Sequence, residues 1–108
     1  DAYENFYHGF VLGVLSNMSG YIVKSNRETG DGRCDIYIKP LSIFERAVII
    51  EMKVCDKPKE LFTKCDEALK QIEDKMYQDD LNEEGYEDII KYGMAFYRKD
   101  CIIRIKEN

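Results

Sequence analysis

Near the start of the chain, apolar side chains fall at Tyr3, Phe6, Tyr7, Phe10, Val11, Val14, Leu15 and Met18, a spacing of three and four that lines one stripe of a helix. The stripe stops at "SNMSG", whose Ser, Asn and Gly predict a helix end near Asn17 to Gly20. The period then changes. "YIVKSNR" from Tyr21 reads as a strand, "ETGDGR" as a turn, and "CDIYIKP" from Cys34 to Pro40 alternates as a strand does, so the three predict a hairpin. After a looser "LSIFER", the run "AVIIEMKV" from Ala47 to Val54 is apolar on both faces at its start, as a central strand would be. Beyond Lys57 and Pro58, a second helical stripe joins Leu61, Cys65, Ala68, Leu69, Ile72 and Met76. "DDLNEEGYEDII" extends it by a short helix stopping at Gly85, and "KYGMAFYRKD" and "CIIRIKEN" read as two strands joined at Lys99 and Asp100.

The order helix, three strands, helix, two strands makes the third strand cross through the second helix to reach the fourth. Such a crossover requires a parallel pair, hence a mixed sheet of about five strands covered by helices, in the α/β or α+β class. Composition fits one domain spanning residues 1–108: 44% apolar and 34% charged residues interleaved along 108 positions. The longest apolar run, Ala47 to Ile50, is far below the roughly 20 residues of a membrane helix, and no leader pattern opens the chain, which argues against membrane and secreted classes. Beginning at Asp1, the sequence reads as a domain excised from a longer protein. Cys34, Cys55, Cys65 and Cys101 form no CxxC pair, which suggests reduced thiols in a cytoplasmic protein, with a disulfide pairing as the alternative.

The candidate chemistry lies in the strands. Glu51 and Lys53 are two apart and share a face, while Met52 points into the opposite one. If the second and third strands are neighbours, Asp35 meets Glu51 at one sheet edge, giving two carboxylates and an ammonium in one place. Burying such a cluster is costly unless it is paired, and Mg²⁺, a hard cation held by one or two carboxylates and several waters, would suit it. The bland alternative is a solvated Glu51 and Lys53 pair beside a polar turn.

Resemblance bears on that choice. Through "ENFYHGFVLGVLS", "KSNRETGDGRCDIYIKP", "AVIIEMKV", "EALKQIEDKMY" and "YGMAFYRK", the chain resembles the PD-(D/E)xK nuclease superfamily, in particular the family found C-terminal to AAA-type ATPase-like domains. The resemblance implies a restriction-endonuclease-like core with the motif Asp at Asp35 and the (D/E)xK at Glu51, Met52 and Lys53. It implies hydrolysis of DNA phosphodiesters with Mg²⁺ or Mn²⁺ held by Asp35, Glu51 and the Met52 carbonyl, and water oriented or activated by Lys53. Glu4 would contribute to the metal site directly or through water, with His8 orienting it; Gln71 would contact the site or substrate, and Tyr77 would stand beside it or serve as a core or rim aromatic. One departure is Cys34, where the motif's name has Pro. Because the superfamily includes degenerate members, the alternative is a non-catalytic interaction or regulatory domain attached to an upstream ATPase-like domain of the same chain.

Charge runs against a nucleic-acid partner, since the net charge is -5 and the sequence pI about 4.9. The excess is local: Glu73 to Asp88 holds eight acids and one lysine, net -7, so the rest is net +2. Lys24, Arg27 and Arg33 flank the second-strand turn as candidate phosphate contacts, or as a solvated hairpin.

Overall fold

The structure, a computed structural model, describes residues 2–26 and 35–107. Helix α1 (Ala2–Leu15) precedes strands β1 (Tyr21–Ser25), β2 (Ile36–Pro40) and β3 (Ala47–Val54). A 3₁₀ turn (Pro58–Glu60) leads into α2 (Leu61–Asp74), followed by short α3 (Gln78–Glu83), β4 (Ile89–Tyr97) and β5 (Asp100–Glu107). The five strands form one sheet in the order β1-β2-β3-β4-β5. Neighbours are antiparallel except β3 and β4, whose parallel register runs from Ala47 opposite Ile89 to Val54 opposite Phe96. The expected crossover is therefore present, made by α2 and α3, and the architecture is the α+β, mixed-sheet one that the hydrophobic pattern implies.

Alternation along β3 divides the molecule in two. Ala47 and Ile49 face α2 and α3, where they join Tyr37, Ile72, Tyr77, Leu81, Tyr86 and Ile89 in one buried cluster. Ile50 and Met52 face the other way, with Ile36, Ile38, Phe96 and Val11 of α1. Ile49, Ile72, Leu81 and Ile89 are essentially inaccessible, and each contributes about 1.5–3 kcal/mol through burial. Gly93 sets the spacing between α2 and the sheet: a Cβ there would lie 2.5 Å from the Cys65 carbonyl oxygen and 2.9 Å from Leu69 Cγ.

Element ends depart from the pattern where polar groups intervene. Helix α1 stops at Leu15, with the Ser16 hydroxyl donating to the Gly13 carbonyl at 2.8 Å. Strand β2 begins at Ile36, because the Asp35 N–H donates to a Glu51 carboxylate oxygen instead of a neighbouring strand. Met76 does not extend the α2 stripe. It lies past the helix end with φ 56°, while Tyr77 N–H returns to the Ile72 carbonyl and Met76 N–H to that of Glu73, a Schellman closure with Met in the position glycine usually takes. The chain turns at Gly85 (φ 107°), the expected stop of the short helix, and β4 opens at Ile89, two residues before the expected start of the strand at Lys91. The final turn is at Arg98 and Lys99, one residue before the expected place. Cys55, Cys65 and Cys101 are free thiols, and Cys34 lies outside the described residues. Among the described residues no helix is long and apolar enough to cross a membrane.

Candidate active site

The register of β2 on β3 places Ile36 opposite Ile50 and Tyr37 opposite Ile49. Asp35, one residue earlier, thus falls beside Glu51 on the face that α2 covers. Two hydrogen bonds fix the pair: the Asp35 N–H donates to Glu51 Oε1 at 3.1 Å, and the Met52 N–H donates to Asp35 Oδ2 at 2.9 Å. Both carboxylates are buried, at 7% and 5% exposure. Lys53 follows on the same face, half-buried, and its ammonium donates to Gln71 Oε1.

Gln71 links the parts. Its Nε2 donates to Glu51 Oε2 at 2.6 Å and to the Tyr77 hydroxyl at 3.0 Å, while its carbonyl end holds Lys53. The reach from α2 depends on Gly93, which stands directly opposite Glu51 on β4 and lets the helix backbone lie against that strand. The Schellman closure brings Tyr77 back beside Gln71, and Tyr37 donates its hydroxyl to the Tyr77 carbonyl and to Asp80, both at 2.9 Å.

Electrostatics are strained in a definite direction. Burial, then the negative charge of Asp35, push the Glu51 carboxyl up to about 8, against the opposing pull of the Asp35 N–H and the Lys53 ammonium. Two buried hard-oxygen donors that repel each other match a divalent cation of the Mg²⁺ kind, which relieves the repulsion and keeps waters for its remaining positions. Among the described residues no group of three Asp, Glu, His or Cys side chains is placed to hold a metal. Glu4 is therefore not gathered with Asp35 and Glu51 as a third direct donor. His8 is buried, with Nε2 2.6 Å from the Ser25 hydroxyl, so it ties α1 to β1.

Lys24 is exposed opposite Tyr37 and thus on the site's face, whereas Arg27 and Arg33 lie outside the described residues. The pattern along the chain gave no role to Tyr37, although its two-residue offset from Asp35 predicts a shared face. It also passed over Lys91, 4% exposed on β4, whose ammonium meets Glu73 at 2.8 Å and draws that carboxyl below its ordinary range. Other acids of the Glu73 to Asp88 run are likewise matched to bases: Glu84 with Lys39 and Asp88 with Arg46, both at 3.0 Å.

A family model described as PD-(D/E)XK nuclease superfamily matches residues 2–106. The chain belongs to that superfamily. Its mixed five-stranded sheet flanked by helices is the restriction-endonuclease-like fold, and PD-(D/E)XK nucleases generally use divalent metals. Searches of the curated proteins and of the solved structures each found no match. Asp35, Glu51 and Lys53, the residues on which the motif resemblance rests, converge with Gln71 on one face.

Proposed function

We propose that the domain hydrolyses phosphodiester bonds of DNA with Mg²⁺ or Mn²⁺. The observation that carries this reading is the buried Asp35 and Glu51 pair, bridged by Gln71 to the Lys53 ammonium. Asp35, Glu51 and the Met52 carbonyl would hold the metal, with Glu4 acting through water. The ion would supply Lewis-acid polarisation of the phosphate and a lowered pKa for bound water. Lys53 orients the attacking water and offsets negative charge developing on the phosphate. Gln71 is a positioning residue: with its amide nitrogen anchored on Glu51 and Tyr77, its carbonyl end aims Lys53. Direct attack by water requires no covalent intermediate, and no side chain here is arranged as a nucleophile.

With a net charge of -5, in which 21 acids outweigh 16 Lys and Arg, this domain on balance repels the phosphate backbone, whose binding draws on Lys and Arg releasing counterions. The reading therefore assigns most DNA affinity to an upstream ATPase-like domain of the same chain, in a cytoplasmic protein, with Lys24 as a local phosphate contact. The test is cleavage of labelled single-stranded, duplex and branched DNA by the full-length protein with Mg²⁺ or Mn²⁺, beside Lys53→Ala. Metal-dependent cleavage lost in the variant is the expected result. No cleavage and no metal uptake would leave the regulatory-domain alternative, and cleavage unchanged in the variant would place the activity elsewhere.

A further inference from the structure

Strand β5 closes one end of the sheet, and its outer edge has no neighbouring strand among the described residues. It is eight residues long and contains neither proline nor glycine. Edges of this kind are normally guarded by outward charges or bulges. Here the basic side chains are turned down onto α2: Arg104 reaches Asp66 at 3.2 Å and lies over the Phe62 ring at 5.0 Å, and Lys106 reaches Glu73 at 3.4 Å. On the other face, Ile103 and Ile105 are 51% and 57% exposed.

We propose that this edge pairs with the same edge of a second copy, antiparallel about a twofold axis at Ile103, to give a continuous ten-stranded sheet. The sequence of β5 is self-complementary in that register. Asp100 falls opposite Lys106 of the second copy, Cys101 opposite Ile105, Ile102 opposite Arg104, and Ile103 opposite itself. Opposite charges meet at both ends, and the apolar side chains meet on the α1 face. A one-residue slip sends facing side chains to different faces. Moving the axis to Arg104 sets two guanidinium groups against each other and Cys101 against Glu107, while moving it to Ile102 leaves the strand end from Ile105 onward unpaired.

The layers permit it. Helix α2 lies mainly on β4, so the two α2 helices would be three strand spacings apart, about 14 Å, wider than a helix diameter of about 10–12 Å. A perpendicular twofold keeps both Asp35 and Glu51 pairs on one side of the sheet, about five strand spacings or 24 Å apart.

Sedimentation of the 108-residue chain from low micromolar to submillimolar concentration tests this, with circular dichroism melts confirming that each variant is folded. The expected result is a reversible dimer whose dissociation constant rises about tenfold or more in Asp100→Lys and in Lys106→Asp, and returns to within about threefold of wild type when both reversals are combined. Ile103→Lys, which sets two ammonium groups at the axis, should leave monomer only. Asp100 is exposed and carries the test if Lys106→Asp fails to fold. A chain monomeric at every concentration would overturn the proposal, as would a dimer indifferent to Asp100→Lys and Ile103→Lys, or charge reversals whose losses add instead of cancelling.

Discussion

The two faces of the sheet are built from the same strands but finished differently. On the α2 face the core is sealed: Ala47, Ile49, Cys65, Ala68, Ile72, Leu81 and Ile89 are all at or near zero exposure, and the polar groups among them are held by hydrogen bonds. On the α1 face a single helix covers part of the sheet, leaving a cavity of about 520 Å³ lined by Val11, Val14, Ile38, Met94 and Ile103, with Phe10 62% exposed. The candidate chemistry lies on the sealed face. Close packing there restrains the rotamers of Glu51, Lys53 and Gln71, and charges aimed at a transition state act best when they need not reorganise.

Substitutions on each side put that contrast to work. Lys53→Ala should reduce turnover about 10²-fold or more, equivalent to about 2.7 kcal/mol, with little change in metal binding or folding, as measured by single-turnover cleavage and calorimetry. Gly93→Ala would drive a methyl into the Cys65 carbonyl, which is backbone and cannot rotate away, so a stability loss of about 2–3 kcal/mol is expected by denaturant unfolding. If Gly93→Ala were neutral, the sealed face would be looser than its distances imply.

Glu51→Gln sharpens the comparison through pH. Because the folded-state pKa of about 8 is above the ordinary 4.5, Glu51 favours the folded state fully below pH 4.5, and that contribution is lost as pH rises through 8. Metal-free Glu51→Gln should therefore match wild type in acid and exceed it above pH 8 by roughly 3–5 kcal/mol. Divalent metal should reverse the order by stabilising wild type alone. Thermal melts at both ends of that range, with and without Mg²⁺, would expose the idea as wrong if the two proteins stayed parallel. On the open face, Phe10→Ser should cost only about 0.5 kcal/mol, since the ring is mostly in solvent already.

Periodicity was enough to place β3, α2 and the side chains that share a face, because alternation and the helical stripe are local consequences of burial. Glu51 and Lys53 could be paired from their spacing alone. The meeting of Asp35 with Glu51 could only be stated conditionally, since strand adjacency is a tertiary property, and the motif resemblance selected it. Gln71 followed from resemblance, yet its bridging role depends on Gly93, whose absent side chain gives no signal in a hydrophobic pattern. Lys91 was missed for the opposite reason. A lysine between apolar neighbours reads as solvent-facing, and its burial rests on Glu73 arriving from α2.

The hydrogen bonds joining Asp35, Glu51, Lys53 and Gln71 close loops of only 16 to 20 residues, whereas the parallel pairing of β3 with β4 joins Ala47 to Ile89. Closing the shorter loops costs about 0.8 kcal/mol less chain entropy than closing the crossover. Across proteins, folds rich in contacts of short sequence separation fold faster. The site is thus stitched together within the segment from Asp35 to Gln71, and these links carry less of the topological cost than the crossover that brings in β4.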